Sequence, residues 1–460
     1  MLNLLEAAEQ IRTRKLSPVE LTRECLANIE RLNPTLNAFI TVTADSALAH
    51  AHRAEEEIAA GNYRGPLHGI PIALKDNIDT AGVRTTAGSN QYRDRIPPAD
   101  AEIVRQLKLA GAVLVGKNNM HEFAFGGSGV ISAFGAARNP RDPARITGGS
   151  SSGSAAAVGA GMCIAAIGTD TAGSVRCPAA LCGLVGHRPS HGLLSNSGIV
   201  PLAESFDTPG PIAQAVGDAR AILHALAPVG SPEFLNSRPL DLTNIRIGVA
   251  RNLAQDLEPE VASCFEAAVR ALVQMVAYVE DVRLEVQPAW NVRNFEIFLY
   301  HQSMIDHTPQ LYDRRTLDRL RASAGVKEID SVRERQALKA PSPANTLFER
   351  VDVVLSPTVP VTAPLVSELK AMDPGTLRSY EVQRLLSNTI PFSFLWWPSV
   401  SVPCGFTKSG LPAGLQISGR PGADVDVLRV AEAYEQATEW RQNVSPDSAT
   451  DSRYRSQLSG

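Results

Sequence analysis

A run of small residues at positions 146–176, ITGGSSSGSAAAVGAGMCIAAIGTDTAGSVR, sets the narrowest limit on what this chain can become. Side chains this small cannot fill a hydrophobic core by themselves. Glycine admits positive φ and lets backbone approach a ligand closely. Serine supplies hydroxyls that act as nucleophiles when a base stands near. The run gathers Gly148-Gly149-Ser150-Ser151-Ser152-Gly153, crosses an alanine-rich stretch, and ends on Ser174 between Gly173 and Val175. Such a segment points to a catalytic or anion-binding loop.

The rest of the chain can bury what the run cannot. Its 460 residues are 44% hydrophobic, ample for a large core. A net charge of −4, from 44 basic and 48 acidic residues, disfavours nucleic acid as a partner. The opening MLNLLEAAEQIRTRK carries acids and no continuous apolar stretch, unlike a secretory signal. The longest apolar run, residues 155–168, is broken by glycine and shorter than the ~20 residues a membrane span needs. Cysteines 25, 163, 177, 182, 264 and 404 show no CxxC spacing, so they read as buried thiols. A cytoplasmic protein is expected, a monomer or homodimer acting on a small molecule without membrane or nucleic acid.

Helical signals open the chain. Ser17-Pro18-Val19-Glu20 is a capping box with proline in the first turn, and Leu21, Cys25, Ile29 and Leu32 recur at helical spacing until Pro34 ends the pattern. Residues 45–60 predict a second helix. From Gly65 the texture turns to short apolar runs, GIPIALKDN and AGAVLVGKNN, that read as buried strands feeding loops, with a helix over 101–110 between them. Further strands are expected at 163–168, 245–250, 353–355, 399–402 and 414–417, and helices at 155–161, 261–276 and 425–440. Strand–helix alternation implies an α/β sheet covered on both faces. Residues 225–242 form a proline-bearing connection. The tail beyond Gln442 is polar.

Three groups stand out chemically. Lys75 ends the apolar run 70–74, Ser150 sits in the Gly/Ser loop, and Ser174 follows the strand expected at 163–168. Loops at strand ends expose side chains that the sheet holds still. The run GGSSSGSAAAVGAG…GTDTAGSVRCPAALCGLVGHRPS closely resembles the amidase signature family. GIPIALKDNID, SFDTPGPIA and VPCGFTKSGLPAGLQISGRP extend the likeness over roughly residues 20–435. The resemblance implies a large mixed, mostly parallel twisted sheet flanked by helices on both faces. It also implies a division into an N-terminal helical segment (1–64), a catalytic unit (65–440) with a helical insertion near 290–345, and a tail (441–460). It further implies a Ser–Ser–Lys triad: Ser174 as nucleophile, Ser150 as bridge behind a cis Gly149–Ser150 peptide, and Lys75 as base. Backbone N–H groups of Thr171, Ala172, Gly173 and Ser174 would form the oxyanion hole, although the family usually has glycine where Ala172 stands. Ser151 would support the site, and Asp170 with Arg176 would brace the loop as a charge pair.

The chemistry sets a condition. A lysine of ordinary pKa is protonated at neutral pH and cannot be a base, so burial must bring Lys75 toward about 7–8. Asp76, next in sequence, must then face the other way. No cofactor and no metal are called for. Gly149-Ser150-Ser151-Ser152-Gly153 also fits G-x-S-x-G with Ser151 as nucleophile, but that motif needs a strand directly before it and NPRDPAR stands near there. No Gly-Lys-Ser/Thr follows for a phosphate loop, and His121-Glu122 is not HExxH. Substrates are expected to be small to medium amides, with aryl amides or carbamates included. Gly126, Gly127 and Ser128 form one candidate pocket wall and Trp396-Trp397 the other. The alternative within the same family is the glutamine-amidase subunit of a tRNA-dependent amidotransferase. The segments SNSGIVPLAESFDTPGPIA and YHQSMIDHTPQLYDRRTLDRL look more like free amidases.

Overall fold

Short runs of aliphatic residues bounded by glycine, proline or asparagine form the strands of one eleven-stranded sheet. The computed structural model describes residues 2–228, 231, 242–340, 342–438 and 440. In chain order the strands are β1 (Phe39–Val42), β2 (Pro71–Lys75), β3 (Val113–Asn118), β4 (Ala165–Asp170), β5 (Val185–Arg188), β6 (Thr208–Ala213), β7 (Arg246–Ala250), β8 (Tyr278–Val282), β9 (Val353–Pro357), β10 (Ser399–Phe406) and β11 (Pro412–Gly419). They lie side by side as β1-β3-β2-β4-β6-β5-β10-β11-β9-β7-β8. Every residue of β2, β3, β4, β6 and β9 is buried, so the middle of the sheet is covered on both faces.

The mixed α/β class holds, but the sheet is not mostly parallel. The pairs β3–β2, β2–β4, β9–β7 and β7–β8 run parallel; the other six neighbours run antiparallel. The reason lies in the connections. Parallel neighbours need a long crossover, and helices Glu102–Leu109 and Pro259–Val273 supply it for β2–β3 and β7–β8. The five residues between β10 and β11 permit only a hairpin.

Two segments depart from expectation. Helix Pro18–Leu36 continues past Pro34 and stops at Asn37, whose left-handed backbone caps it. The stretch 1–64 also adds an edge strand, β1, antiparallel to β3. The tail expected over 441–460 lies outside the described residues, as do 229–230 and 232–241 of the proline-bearing connection. Among the described residues no helix is long and apolar enough to cross a membrane.

The small-residue run becomes two short buried helices. Ser152–Gly159 packs on β2, β3 and β4; Arg176–Cys182 packs on β5, β10 and β11. Both lack a polar face, as helices buried all round do. Residues 290–339 fold into three helices, Trp290–His307, Arg314–Ser323 and Glu328–Lys339.

Candidate active site

Parallel pairing of β2 with β4, Leu74 opposite Ile167, sets Lys75 and Thr169 side by side at the carboxyl ends of the strands. Lys75 is fully buried. Its Nζ lies 2.7 Å from Ser150 Oγ, 2.7 Å from Thr169 Oγ1 and 3.3 Å from the Thr169 carbonyl. Asp76 faces away, accepting from the Thr86 N–H at 2.9 Å and lying 4.0 Å from Lys117 Nζ. Lys75 thus sits among neutral oxygens. Burial drives its pKa down to about 7, against the upward pull of Asp207 and Asp170. The Gly149–Ser150 peptide that aims Ser150 is cis.

Ser174 is stitched to the same loop by the Ser151 N–H, which donates to its carbonyl at 3.3 Å. It lines a cavity of about 470 Å³ together with Ala172, Gly126 and Gly127. The Ser150 and Ser174 hydroxyls are not joined by a hydrogen bond; the contact that is made is Lys75 to Ser150. Only glycine fits at 173: φ is +128°, and a Cβ would fall 2.0 Å from Thr389 Oγ1. The turn also changes the expected oxyanion hole. The Gly173 N–H is aimed at Asp170 Oδ1, 2.8 Å away, and is already used. Among the described residues, the N–H groups of Thr171, Ala172 and Ser174 donate to no other backbone group.

Asp170 holds this turn. Arg176 meets it at 3.0 and 2.9 Å, and the N–H of Val175 donates to it at 3.1 Å. Burial pushes the Asp170 carboxyl up, but the charges of Arg176 and Arg188 and these hydrogen bonds outweigh it and hold it well below the usual carboxylate range. Arg176 reaches further, to Ser393 Oγ at 2.7 Å and Gln416 Oε1 at 2.8 Å, tying the turn to β11. Ser151 is buried against the backbone of Thr169, its Oγ 3.3 Å from both N and O. The residues before it are loop rather than strand, so Ser151 stands on no nucleophile elbow.

The expected pocket walls divide. Gly126 and Gly127 line the cavity, whereas Ser128 turns aside and donates its N–H to Glu381 at 3.1 Å. Trp396 and Trp397 do not line it. The Trp396 indole N–H donates to the Ser205 carbonyl at 2.9 Å, and its ring stacks on His191 at 5.6 Å. Trp397 is wholly buried against Phe348 and Phe392 and donates to Asn345 Oδ1 at 2.9 Å. The core takes up Trp397, while Trp396, half-buried, is held outside the cavity by its contacts with Ser205 and His191.

Several site residues escaped the sequence. Thr169, the second hydroxyl on Lys75, hid inside the motif. Asp207, within SFDTPGPIA, accepts from the Thr171 hydroxyl and from the N–H groups of Leu202 and Ala203; burial lifts its carboxyl to about 6 despite those bonds and Lys75. Arg293, Arg319, Arg378 and Glu381 also line the cavity. They come from segments whose local pattern reads as ordinary charged helix.

Known proteins match this chain over nearly its whole length. A glutamyl-tRNA(Gln) amidotransferase subunit from Thermosynechococcus vestitus is 36% identical over 478 residues, covering 95% of this chain and 98% of its own. A solved structure described as an amidase superposes with TM-score 0.84 at 32% identity, over 95% of this chain and 99% of that one. The corresponding glutamyl-tRNA(Gln) amidotransferase subunit from Thermotoga maritima gives TM-score 0.74 at 32% identity, over 96% and 97%. These relatives overturn the expectation of a monomer or homodimer with no nucleic acid, because near-full-length relatives are named as subunits and for a tRNA. Net charge averages a whole surface and does not report on what a subunit works beside. The family model described as Amidase matches residues 20–428; this chain belongs to the Amidase family, the hydrolases of amide C–N bonds.

Proposed function

We propose that Ser174 is the nucleophile of an acyl-enzyme mechanism, with Ser150 and Lys75 as its proton path. Ser174 Oγ attacks the amide carbonyl; its proton passes to Ser150 once the two hydroxyls close to bonding distance in the substrate complex, and that of Ser150 to neutral Lys75 Nζ. The Thr171, Ala172 and Ser174 N–H groups receive the developing oxyanion. The C–N bond then breaks, and the nitrogen leaves with the proton returned through Ser150. Water, activated by the same path, cleaves the ester and restores Ser174. The observation that carries this reading is a buried lysine, with pKa near 7, whose amine is 2.7 Å from Ser150 Oγ.

For the amide donor, the better supported reading is glutamine, with the chain working as the amidase subunit of a tRNA-linked amidotransferase. Its support is the run of relatives so named, at 35–37% identity across nearly the whole chain. A free amidase is the second reading, favoured by the closer superposition on the amidase structure (TM-score 0.84) than on the amidotransferase subunit (0.74). Ammonia release from glutamine decides between them. It should be measured beside an anilide, an aliphatic amide and an aryl carbamate, with and without glutamyl-tRNA(Gln), with Ser174→Ala as control. Turnover of the other three with glutamine untouched moves the function to the free amidase.

A further inference from the structure

The cavity at Ser174 carries an unbalanced charge. Three arginines line it: Arg293, Arg319 and Arg378. Among the described residues that line it, Glu381 is the one carboxylate, and it is spent. Arg319 Nη1 meets it at 2.7 Å, and the Ser128 N–H and hydroxyl donate to it. No acid lies within ion-pair range of Arg293 or Arg378 among the described residues. Arg293 is only 9% exposed, yet its Nε finds no hydrogen-bond partner. Its polar contact is Asn294 Oδ1 at 3.0 Å, and its guanidinium lies 5.2 Å from the Phe125 ring and 5.6 Å from the Trp290 ring. Burial, with the neighbouring charges of Arg378 and Arg319, pulls the Arg293 pKa down to about 10 against the upward pull of Asp207.

Buried cations without partners are expensive, and folded chains keep them where a ligand completes the pair. Guanidinium forks match carboxylates in particular. Phe125, Leu202 and Leu386 give the same cavity an apolar wall beside the arginines and Ser174. We infer that the cavity selects amides whose acyl part ends in a carboxylate, held by Arg293 and Arg378, with a short hydrocarbon spacer crossing the apolar wall to the scissile carbonyl. The inference rests on Ser174 as nucleophile and names the substrate class for that site. Glutamine falls within the class through its α-carboxylate. Its ammonium finds no free acid on this wall, so monoamides of dicarboxylic acids fit at least as well.

The test uses the whole chain and two readouts. Hydrolysis is compared for the monoamides of succinic, glutaric and adipic acids, glutamine, and neutral pentanamide. Binding of glutarate to Ser174→Ala is measured separately by calorimetry. At least one monoamide should exceed pentanamide in kcat/KM by about 10–100-fold, and Arg378→Gln should collapse that ratio toward one. Glutarate should bind, and Arg378→Gln or Arg293→Gln should weaken it at least tenfold. Arg378 is half-exposed on a helix end, so its variant should fold even if that of Arg293 does not. Pentanamide turned over as well as every monoamide, or glutarate binding unchanged in Arg378→Gln, overturns the inference. Glutarate bound through the arginines with no amide hydrolysed leaves the anion site standing and removes the nucleophile assignment instead.

Discussion

Lys75 is asked to be neutral where lysine is ordinarily charged, and its surroundings show how. Its Nζ has three oxygens in reach and no carboxylate among them. A neutral amine can donate to the Thr169 oxygens and keep its lone pair for the Ser150 hydroxyl. The activity profile follows: kcat/KM should rise with pH through about 7 as Lys75 loses its proton, and Lys75→Met should lose about 10²–10⁴ in turnover. Stability carries the same signature. The folded pKa lies near 7 and the unfolded one near 10.5, so below pH 7 both states hold the proton and the folded state bears the full cost of a buried charge. That cost is about 4–5 kcal/mol at roughly 1.4 kcal/mol per unit. It is relieved as pH rises from 7 toward 10.5, where the unfolded chain binds more protons. Denaturant titrations at pH 6 and pH 9 should therefore show wild type gaining stability relative to Lys75→Met. Parallel behaviour of the two proteins would mean Lys75 is charged throughout.

Elements decide what the sequence can disclose. β2 and β4 were legible because their aliphatic runs end in Lys75 and Thr169-Asp170, and parallel strands buried on both faces read as continuous apolar segments. β6 was not, because TPGPIA carries Pro209 and Pro211, which argue against an interior strand; yet it lies between β4 and β5 with both prolines in register. The proposed triad was legible through the family resemblance: Ser150 and Ser174 lie in a local Gly/Ser pattern, and Lys75 ends the apolar run of β2. Arg293 and Arg378 were not, because a helix supplies no local sign of which distant cavity an arginine faces. Trp396-Trp397 misled for the opposite reason: an unusual pair invites a functional role, and the helix Ile390–Phe394 turns it into packing instead. Trp397→Ala should accordingly cost about 3–5 kcal/mol of stability through the cavity it leaves. KM for any amide the folded variant still accepts should stay within about twofold of wild type. A KM shift without a loss in Tm would return the tryptophan to the pocket wall.

At the scale of the molecule, one sheet carries both halves of the site. β2 and β4 bring Lys75 and the Ser174 turn, while Arg176 pins that turn to Gln416 on β11, so Ser174 is held from two directions. The helices of 290–339 bring Arg293 and Arg319 to the same cavity. The six thiols are kept out of this chemistry. Five are buried and Cys264 is half-buried, and burial pushes Cys25 and Cys177 up to about 12. A thiol reacts as thiolate, so at pH 8 these two present almost none. Cys177 is the informative one, because it lies in the helix that follows Ser174, and a cysteine nucleophile is the natural rival to a serine one. Iodoacetamide at pH 8 should leave amide hydrolysis essentially intact. A fluorophosphonate should abolish it with a single adduct, which peptide mapping places on Ser174. Inactivation by the alkylating agent with Cys177 modified, and protection by substrate, would transfer the nucleophile's role to the thiol and leave the Lys75 network without a function.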